Sequence, residues 1–220
     1  MMSIDRENSF QNVYLNKLWG NNNNETRSGS GSTIEINKYR VKFISEFIKD
    51  NGISCLYDIC GDANWQHTID LGSNCKYFGF DISSEALNDA RSKNIDYIHM
   101  QFSETPIDLC ESLIECSDPE NSMILIKEVI QHLPLDDGLK MLKNIKKSGI
   151  KYIAITNHDK DIFNVSENIN ILPGEFYPNN IYLSPFHFTD PIKDINNILD
   201  SHLISGYGNL IIFNIQEQNL

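Results

Sequence analysis

The sequence predicts an α/β fold, a mostly parallel sheet with helices on both faces and an antiparallel hairpin at its C-terminal end. Three observations predict it. Short apolar, β-rich runs alternate with segments whose apolar residues recur at helical spacing, which implies right-handed crossovers between parallel strands. The run Ile53-Ser54-Cys55-Leu56-Tyr57 leads into Asp58-Ile59-Cys60-Gly61, a buried strand ending at a tight glycine turn. The chain closes on Asn209-Leu210-Ile211-Ile212-Phe213-Asn214-Ile215, suited to an antiparallel edge strand.

The elements follow in order. Residues 1–32 are polar and rich in Asn, Ser and Gly, the composition of a flexible segment. Ile36, Tyr39, Phe43, Ile44, Phe47 and Ile48 then recur at helical spacing, so a helix spans Thr33 to Lys49 and stops at Asn51-Gly52. Strand 53–58 is followed by a helix near 64–71 capped by Asp62 or Asn64, strand 76–81, helix 83–93 and strand 95–100. Ser83-Ser84-Glu85 starts its helix well, because serine caps free amides and glutamate suits the helix dipole. A helix within 106–116, strand 122–127, helix 136–147 and strand 150–156 come next, with Gly149 terminating the last helix. Residues 157–190 break the rhythm with Pro173, Pro178, Pro185 and many aromatics, which favours an ordered, substrate-facing loop. Helix 191–199 and strands near 202–205 and 209–215 complete the chain.

Composition limits the function classes. The chain has 220 residues, 40% hydrophobic, which suits one domain with a core, with or without a small appendage. No run approaches the ~18 apolar residues of a membrane span, and Met1 to Asn12 lacks the regions of a signal peptide. The expected location is cytoplasmic, with no membrane partner. The net charge of -12, with no long basic run, argues against DNA or long RNA as the principal partner. Five cysteines form an odd set without a CxxC pair, so reduced thiols are expected and no zinc site. No tight His spacing points to another metal. The abundance of Asn and Ile reads as AT-rich coding.

Asp81 lies twenty residues after Gly61, at the end of Tyr77-Phe78-Gly79-Phe80. An acid at that spacing typically accepts the two hydroxyls of a cofactor ribose; the alternative is a cap for helix 83–93. A dinucleotide would require about three glycines in the turn so that backbone could approach the pyrophosphate. This turn has only Gly61, which favours S-adenosylmethionine, a ribose-bearing donor without phosphate, over NAD. Asp58 is either a contact for the donor's amine or a strand-end acid satisfied by backbone amides. Met100 and Phe102, flanking Gln101 after the third strand, can sandwich an adenine or sit in the core.

Cys60-Gly61-Asp62-Ala63-Asn64-Trp65 resembles the first motif of a subgroup of class I S-adenosylmethionine-dependent methyltransferases with a Cys-Gly-Asp-x-Asn-Trp signature. The resemblance extends over nearly the whole chain. It takes in Trp19-Gly20, Glu25 to Ser32, Gln131-His132-Leu133, Asn144 to Gly149, Tyr152 to Thr156 and Ser184-Pro185-Phe186. There are three departures. Ile59 replaces a glycine before Cys60, Ala63 stands where an aromatic is usual, and Gln101 stands where an acid commonly contacts the adenine amine.

The resemblance implies a Rossmann-like, seven-stranded methyltransferase domain over 33–220, with 1–32 as a lid or substrate-binding segment. It implies donor contacts from Asp58, Cys60, Gly61, Asp62, Trp65, Asp81, Ile82, Gln101, Phe102 and Lys127. Lys127 and Glu128 end the fourth strand, where the transferred methyl group is faced; a surface ion pair is the plainer reading. His132 falls on the family's motif and is either a base for a hydroxyl or a structural support. His158 is a further catalytic candidate. Trp19, Arg27, Ser28, Ser32, Asp159 and Tyr177 are expected at the substrate, with Arg27 as an anion contact through its bidentate guanidinium. The activity implied is O-methyl transfer to a hydroxyl of a sugar, in particular a nucleotide-activated (UDP-linked) one. A methyltransferase of RNA caps or nucleotide ends is the second reading, and a degenerate, partner-binding fold the third.

Overall fold

A computed structural model describes residues 2–19, 25–59, 61–94, 96, 100–104, 117–197 and 207–220. Cys60, Gly20, the helix expected within 106–116 and the strand expected near 202–205 lie outside the described residues. The chain forms two compact units, Met1–Pro106 and Ile107–Leu220.

The first unit contains α1 (Met2–Leu15), α2 (Ile34–Asp50), β1 (Cys55–Ile59), β2 (Lys76–Asp81), α3 (Ser84–Lys93) and β3 (Met100–Glu104). Its strands are parallel, in the order β3-β2-β1. Helix α2 forms where periodicity places it: Phe43, Ile44, Phe47 and Ile48 make the buried stripe, and the Thr33 side chain caps the Ile36 amide. Ser83 caps α3 by accepting from Ala86 N–H.

The structure corrects several boundaries. Residues 2–15 are helical, not a flexible tail. In α1 the buried residues from position 6 on are Arg6, Val13 and Tyr14, too few apolar side chains to print a helical stripe in the sequence. Polar contacts hold it instead: the Ser83 hydroxyl bonds Gln11 at 2.8 Å and Arg27 donates to the Tyr14 carbonyl at 2.9 Å. Between 64 and 71 there is only a 3-10 turn, Gln66–Thr68, because the side chains of Asp62 and Asn64 bind other segments instead of capping. Of the third strand expected over 95–100, residues 95 and 97–99 lie outside the described residues; the strand described is Met100–Glu104, and its Tyr77↔Met100 register puts Gln101 inside it beside Phe78.

The second unit contains β4 (Ser122–Ile126), α4 (Leu135–Lys147), β5 (Tyr152–Asn157), a short α5 (Lys160–Phe163), β6 (Lys193–Asp194) and β7 (Asn209–Asn214). The order is β4-β5-β7-β6, with β4 and β5 parallel and β7 antiparallel to both neighbours. All five β4 residues are buried, as an uninterrupted apolar strand requires. Helix α4 buries Met141, Leu142 and Ile145, carries Asp136 and Asp137 in its first turn and Lys146 and Lys147 in its last, in line with the helix dipole. The helix expected over 191–199 is absent from 191–197: Lys193 and Asp194 pair with Ile212 and Ile211, so strand pairing prevails over local propensity. The seven-stranded, mostly parallel Rossmann-like sheet with an antiparallel C-terminal strand is otherwise the fold class expected.

Candidate functional site

The glycine turn of the first unit is built around two aspartates. Asp81 ends β2 and accepts Gly61 N–H at 3.1 Å and Ser83 N–H at 2.7 Å. Burial pushes its carboxyl up to about 6, opposed by backbone hydrogen bonds from Ser83, Gly61 and Ile82. A carboxylate has about four lone-pair sites, so this partly exposed group has room for a further hydroxyl donor. Asp81 is therefore an acceptor held at the turn by its own backbone. Ser83 supplies the cap of α3, so the cap reading of Asp81 does not hold.

Asp62 has a different task. At 1% exposure it accepts from the Thr26 hydroxyl at 2.7 Å, Arg27 N–H at 2.9 Å and the Ser28 hydroxyl at 2.8 Å, and pairs with Lys93 Nζ at 2.7 Å. Asn64 extends the clamp to Glu25 Oε1 and the Ser32 carbonyl, at 2.8 and 3.1 Å. Residues 25–32 are thus tied to the turn through Asp62 and Asn64. Gly61 has φ +56°, and a Cβ there would stand 2.7 Å from Ser28 Oγ and 2.8 Å from Tyr14 Oη. The close approach that demands glycine is made by the chain's own N-terminal segment.

Arg27, expected as an anion contact, is engaged here by groups of the chain itself. Its Nε meets Asp89 Oδ2 at 2.5 Å, Nη1 donates to the Tyr14 carbonyl and Nη2 to the Glu85 carbonyl at 3.2 Å, which joins α1 to α3. Asp58 is 1% exposed and accepts the Tyr77 hydroxyl at 2.7 Å. Trp65 lies in the core at 1% exposure. Ile82 is partly exposed beside Asp81. Gln101 is exposed within β3, not beyond it, while Phe102 meets the Tyr77 ring edge-on with centroids 6.0 Å apart. Trp19 packs edge-on against Phe10, and the Ser32 hydroxyl donates to the Ser28 carbonyl.

The second unit gathers the expected catalytic residues. Lys127 is buried after β4, and Glu128 adopts φ +58°, a left-handed conformation stabilised by its N–H bond to Thr156 Oγ1 at 2.9 Å. Strain of this kind costs about 1–3 kcal/mol and concentrates at functional positions. Glu128 Oε2 accepts from Gln131 Nε2 and lies 4.0 Å from His158 Nε2. His158 Nδ1 lies 3.2 Å from Asn179 N and 3.3 Å from the Asn179 carbonyl, with Nε2 on the side of Glu128. His132 Nδ1 lies 2.8 Å from the Glu175 carbonyl and donates to it, so its lone pair is at Nε2. Desolvation lowers the pKa of both histidines, more than compensating the upward pull of Glu128. Both are neutral near pH 7, the state a general base requires.

Phe176, expected only as one aromatic of the 157–190 loop and not as a site residue, meets both rings, tilted on His132 and edge-on to His158, with centroids 5.7 and 6.1 Å apart. It is 58% exposed, unusual for an aromatic of that size. Tyr177 donates its N–H to the Gln131 carbonyl, and Asp159 caps α5 through Asp161 N–H. The aromatic content of the loop was the available signal for Phe176; Lys93 and Tyr14 carried none.

No protein-family model and no curated protein matches the sequence. Solved structures do. Magnesium protoporphyrin IX methyltransferase (ChlM) from Synechocystis PCC 6803 with bound SAM superposes with TM-score 0.59 at 11% identity, covering 96% of each chain. N-methyltransferase NodS from Bradyrhizobium japonicum WM9, in complex with S-adenosyl-L-homocysteine, gives 0.53 at 14% identity over 70% of this chain and 75% of that one. The methyltransferase domain of bacterial CtHen1 gives 0.52 at 13% identity over 81% and 99%. At these identities the likeness is one of architecture, and the chain has the fold of S-adenosylmethionine-dependent methyltransferases.

Proposed function

We propose that the chain is an S-adenosylmethionine-dependent O-methyltransferase acting on a hydroxyl of a sugar, specifically a nucleotide-activated (UDP-linked) one. The observation that carries the donor assignment is the Asp81 carboxylate, aligned by Gly61 and Ser83 amides at the end of β2 with acceptor capacity to spare. Bound there, the donor supplies a methyl group on a cationic sulfur. The chain's own part is to accept the ribose hydroxyls at Asp81 and to take up the acceptor's proton. His132 is the preferred base, because its Nδ1 proton is fixed on Glu175 and its Nε2 carries the lone pair. A bound donor would supply the methyl group and leave as the thioether, and the part of His132 Nε2 would be to take the proton that the hydroxyl gives up. Positioning provides most of the rate of such a direct displacement, and the base adds roughly 10²–10⁴-fold.

Sugar as acceptor rests on the resemblance of the sequence motifs. Glu128 and His158 support the base region, with Lys127 buried after β4 in the same unit. Incubation with labelled donor and a panel of nucleotide sugars and capped RNA tests the acceptor. Label transfer to a nucleotide sugar is expected; transfer only to capped RNA would replace the sugar reading with the nucleotide-end one.

A further inference from the structure

We propose that Phe176 is the platform on which the acceptor lies, its exposed ring meeting the C–H face of a sugar and holding a hydroxyl of that sugar at His132 Nε2. The turn that presents the ring is specified locally. Leu172-Pro173-Gly174-Glu175 closes with Glu175 N–H on the Leu172 carbonyl at 3.1 Å, and Gly174 has φ +87°, the conformation that a Pro-Gly turn requires at its third residue. Leu172 N–H donates in return to Glu175 Oε2 at 2.8 Å. Three further bonds fasten this turn to the segment of the proposed base: Gly174 N–H to the His132 carbonyl at 2.9 Å, His132 Nδ1 to the Glu175 carbonyl at 2.8 Å, and Tyr177 N–H to the Gln131 carbonyl at 3.0 Å. Phe176 stands between the last two anchors, so its backbone is fixed from both sides.

Exposure is the second observation. Phe186 and Phe188 of the same loop are buried, whereas Phe176 keeps 58% of its surface in solvent, so the loop has an interior that this ring does not enter. An aromatic held open to water forgoes the stabilisation that burial would give, and a ligand that covers it restores that stabilisation. The surroundings select the ligand. Phe176 tilts on His132 with ring centroids 5.7 Å apart, and His132 is itself only half-buried, so platform and proposed base are adjacent and both reach solvent. The phenyl ring offers no hydrogen-bonding group and exposed Glu175 adjoins it, which suits a flat apolar face and disfavours a phosphate. A pyranose has such a face, whose C–H bonds present positive edges to the negative face of the phenyl ring, while its hydroxyls radiate from the rim. A sugar lying on Phe176 therefore keeps a hydroxyl within reach of the neighbouring imidazole. The platform rests on the proposed sugar-methylating reading and names the residue that positions that sugar.

The test is proton NMR of UDP-glucose, UDP-galactose and UDP-N-acetylglucosamine with the full chain and S-adenosylhomocysteine, affinities being taken from calorimetry. It is carried out on the native protein, Phe176→Leu and Phe176→Tyr. An aromatic ring shifts protons lying on its face upfield, and leucine keeps apolar bulk without that effect. We expect the sugar-ring C–H resonances of at least one probe to move upfield with the native protein and Phe176→Tyr, and to stay in place with Phe176→Leu. Affinity for that probe should fall about 3- to 10-fold in Phe176→Leu and recover in Phe176→Tyr, the order of effect of one aromatic contact. Affinity for S-adenosylhomocysteine should be unchanged, since Phe176 has no part in the donor site proposed at Asp81. The melting temperature should stay within about 3 °C, because the ring replaced is exposed. A merely structural phenylalanine would lower the melting temperature and leave the probe resonances unmoved. Upfield shifts confined to the uracil protons and lost in Phe176→Leu would overturn the sugar face and put a nucleobase on the ring. No Phe176-dependent change in any probe, while S-adenosylhomocysteine binds, overturns the platform. Phe176-dependent sugar shifts without any S-adenosylhomocysteine binding would instead overturn the methyl-transfer reading and leave the platform standing.

Discussion

Asp81 ionises at about 6 in the free protein, because desolvation outweighs the amides that hold it. Ribose hydroxyls bond best to the ionised form, so donor binding favours loss of the proton. Affinity should therefore be constant above that pH and fall as pH is lowered through about 6, measurable by calorimetry across buffers; a flat profile from pH 5 to pH 8 would detach Asp81 from the donor. His132→Ala should leave donor affinity unchanged while turnover falls roughly 10²–10⁴-fold, and single-turnover assays with labelled donor check it. Full turnover in that variant removes His132 as base. At this scale the place of Asp81, at the end of β2 and against Gly61, was legible from spacing. Arg27 was not: a guanidinium suits a ligand anion and a helix-to-helix clamp equally, and only the positions of Asp89 and Glu85 decide.

Elements were legible in proportion to their apolar periodicity. Helix α2 and strand β2 lie within a residue or so of the expected spans, since their burial pattern is printed in the sequence. Helix α1 was hidden because polar contacts, not an apolar stripe, fasten it. The 3-10 turn after Gly61 was misread as a helix because Asp62 and Asn64 look like caps, whereas both fix residues 25–32. Asp62→Ala should accordingly release that segment. Removing one partner of its buried pair with Lys93 should cost about 3 kcal/mol in denaturant unfolding. Amide exchange should rise in residues 25–32 and in α1, while α4, in the other unit, stays protected. Unchanged exchange in 25–32 would show that Asp62 is not what orders it.

Over the whole molecule the fold follows from alternation of strands and helices. Burial lowers His132 and His158 below the usual value of 6.5, so the unfolded chain takes up protons that the folded chain refuses. Stability contributed by these rings is present above pH 6.5 and is lost as pH falls toward their lower folded values, visible as a falling melting temperature in that window. A melting temperature that rises on acidification over the same range would contradict their neutral burial. The acceptor is least legible, because a fold shared at 11–14% identity carries no substrate. The most direct test of the account is calorimetric titration of the full chain with S-adenosylhomocysteine near neutral pH, native against Asp81→Ala. The account predicts saturable one-site binding that weakens about 10- to 100-fold in the variant, the effect of losing hydrogen bonds to a charged group; no binding to the native protein, or equal binding to both, would contradict it.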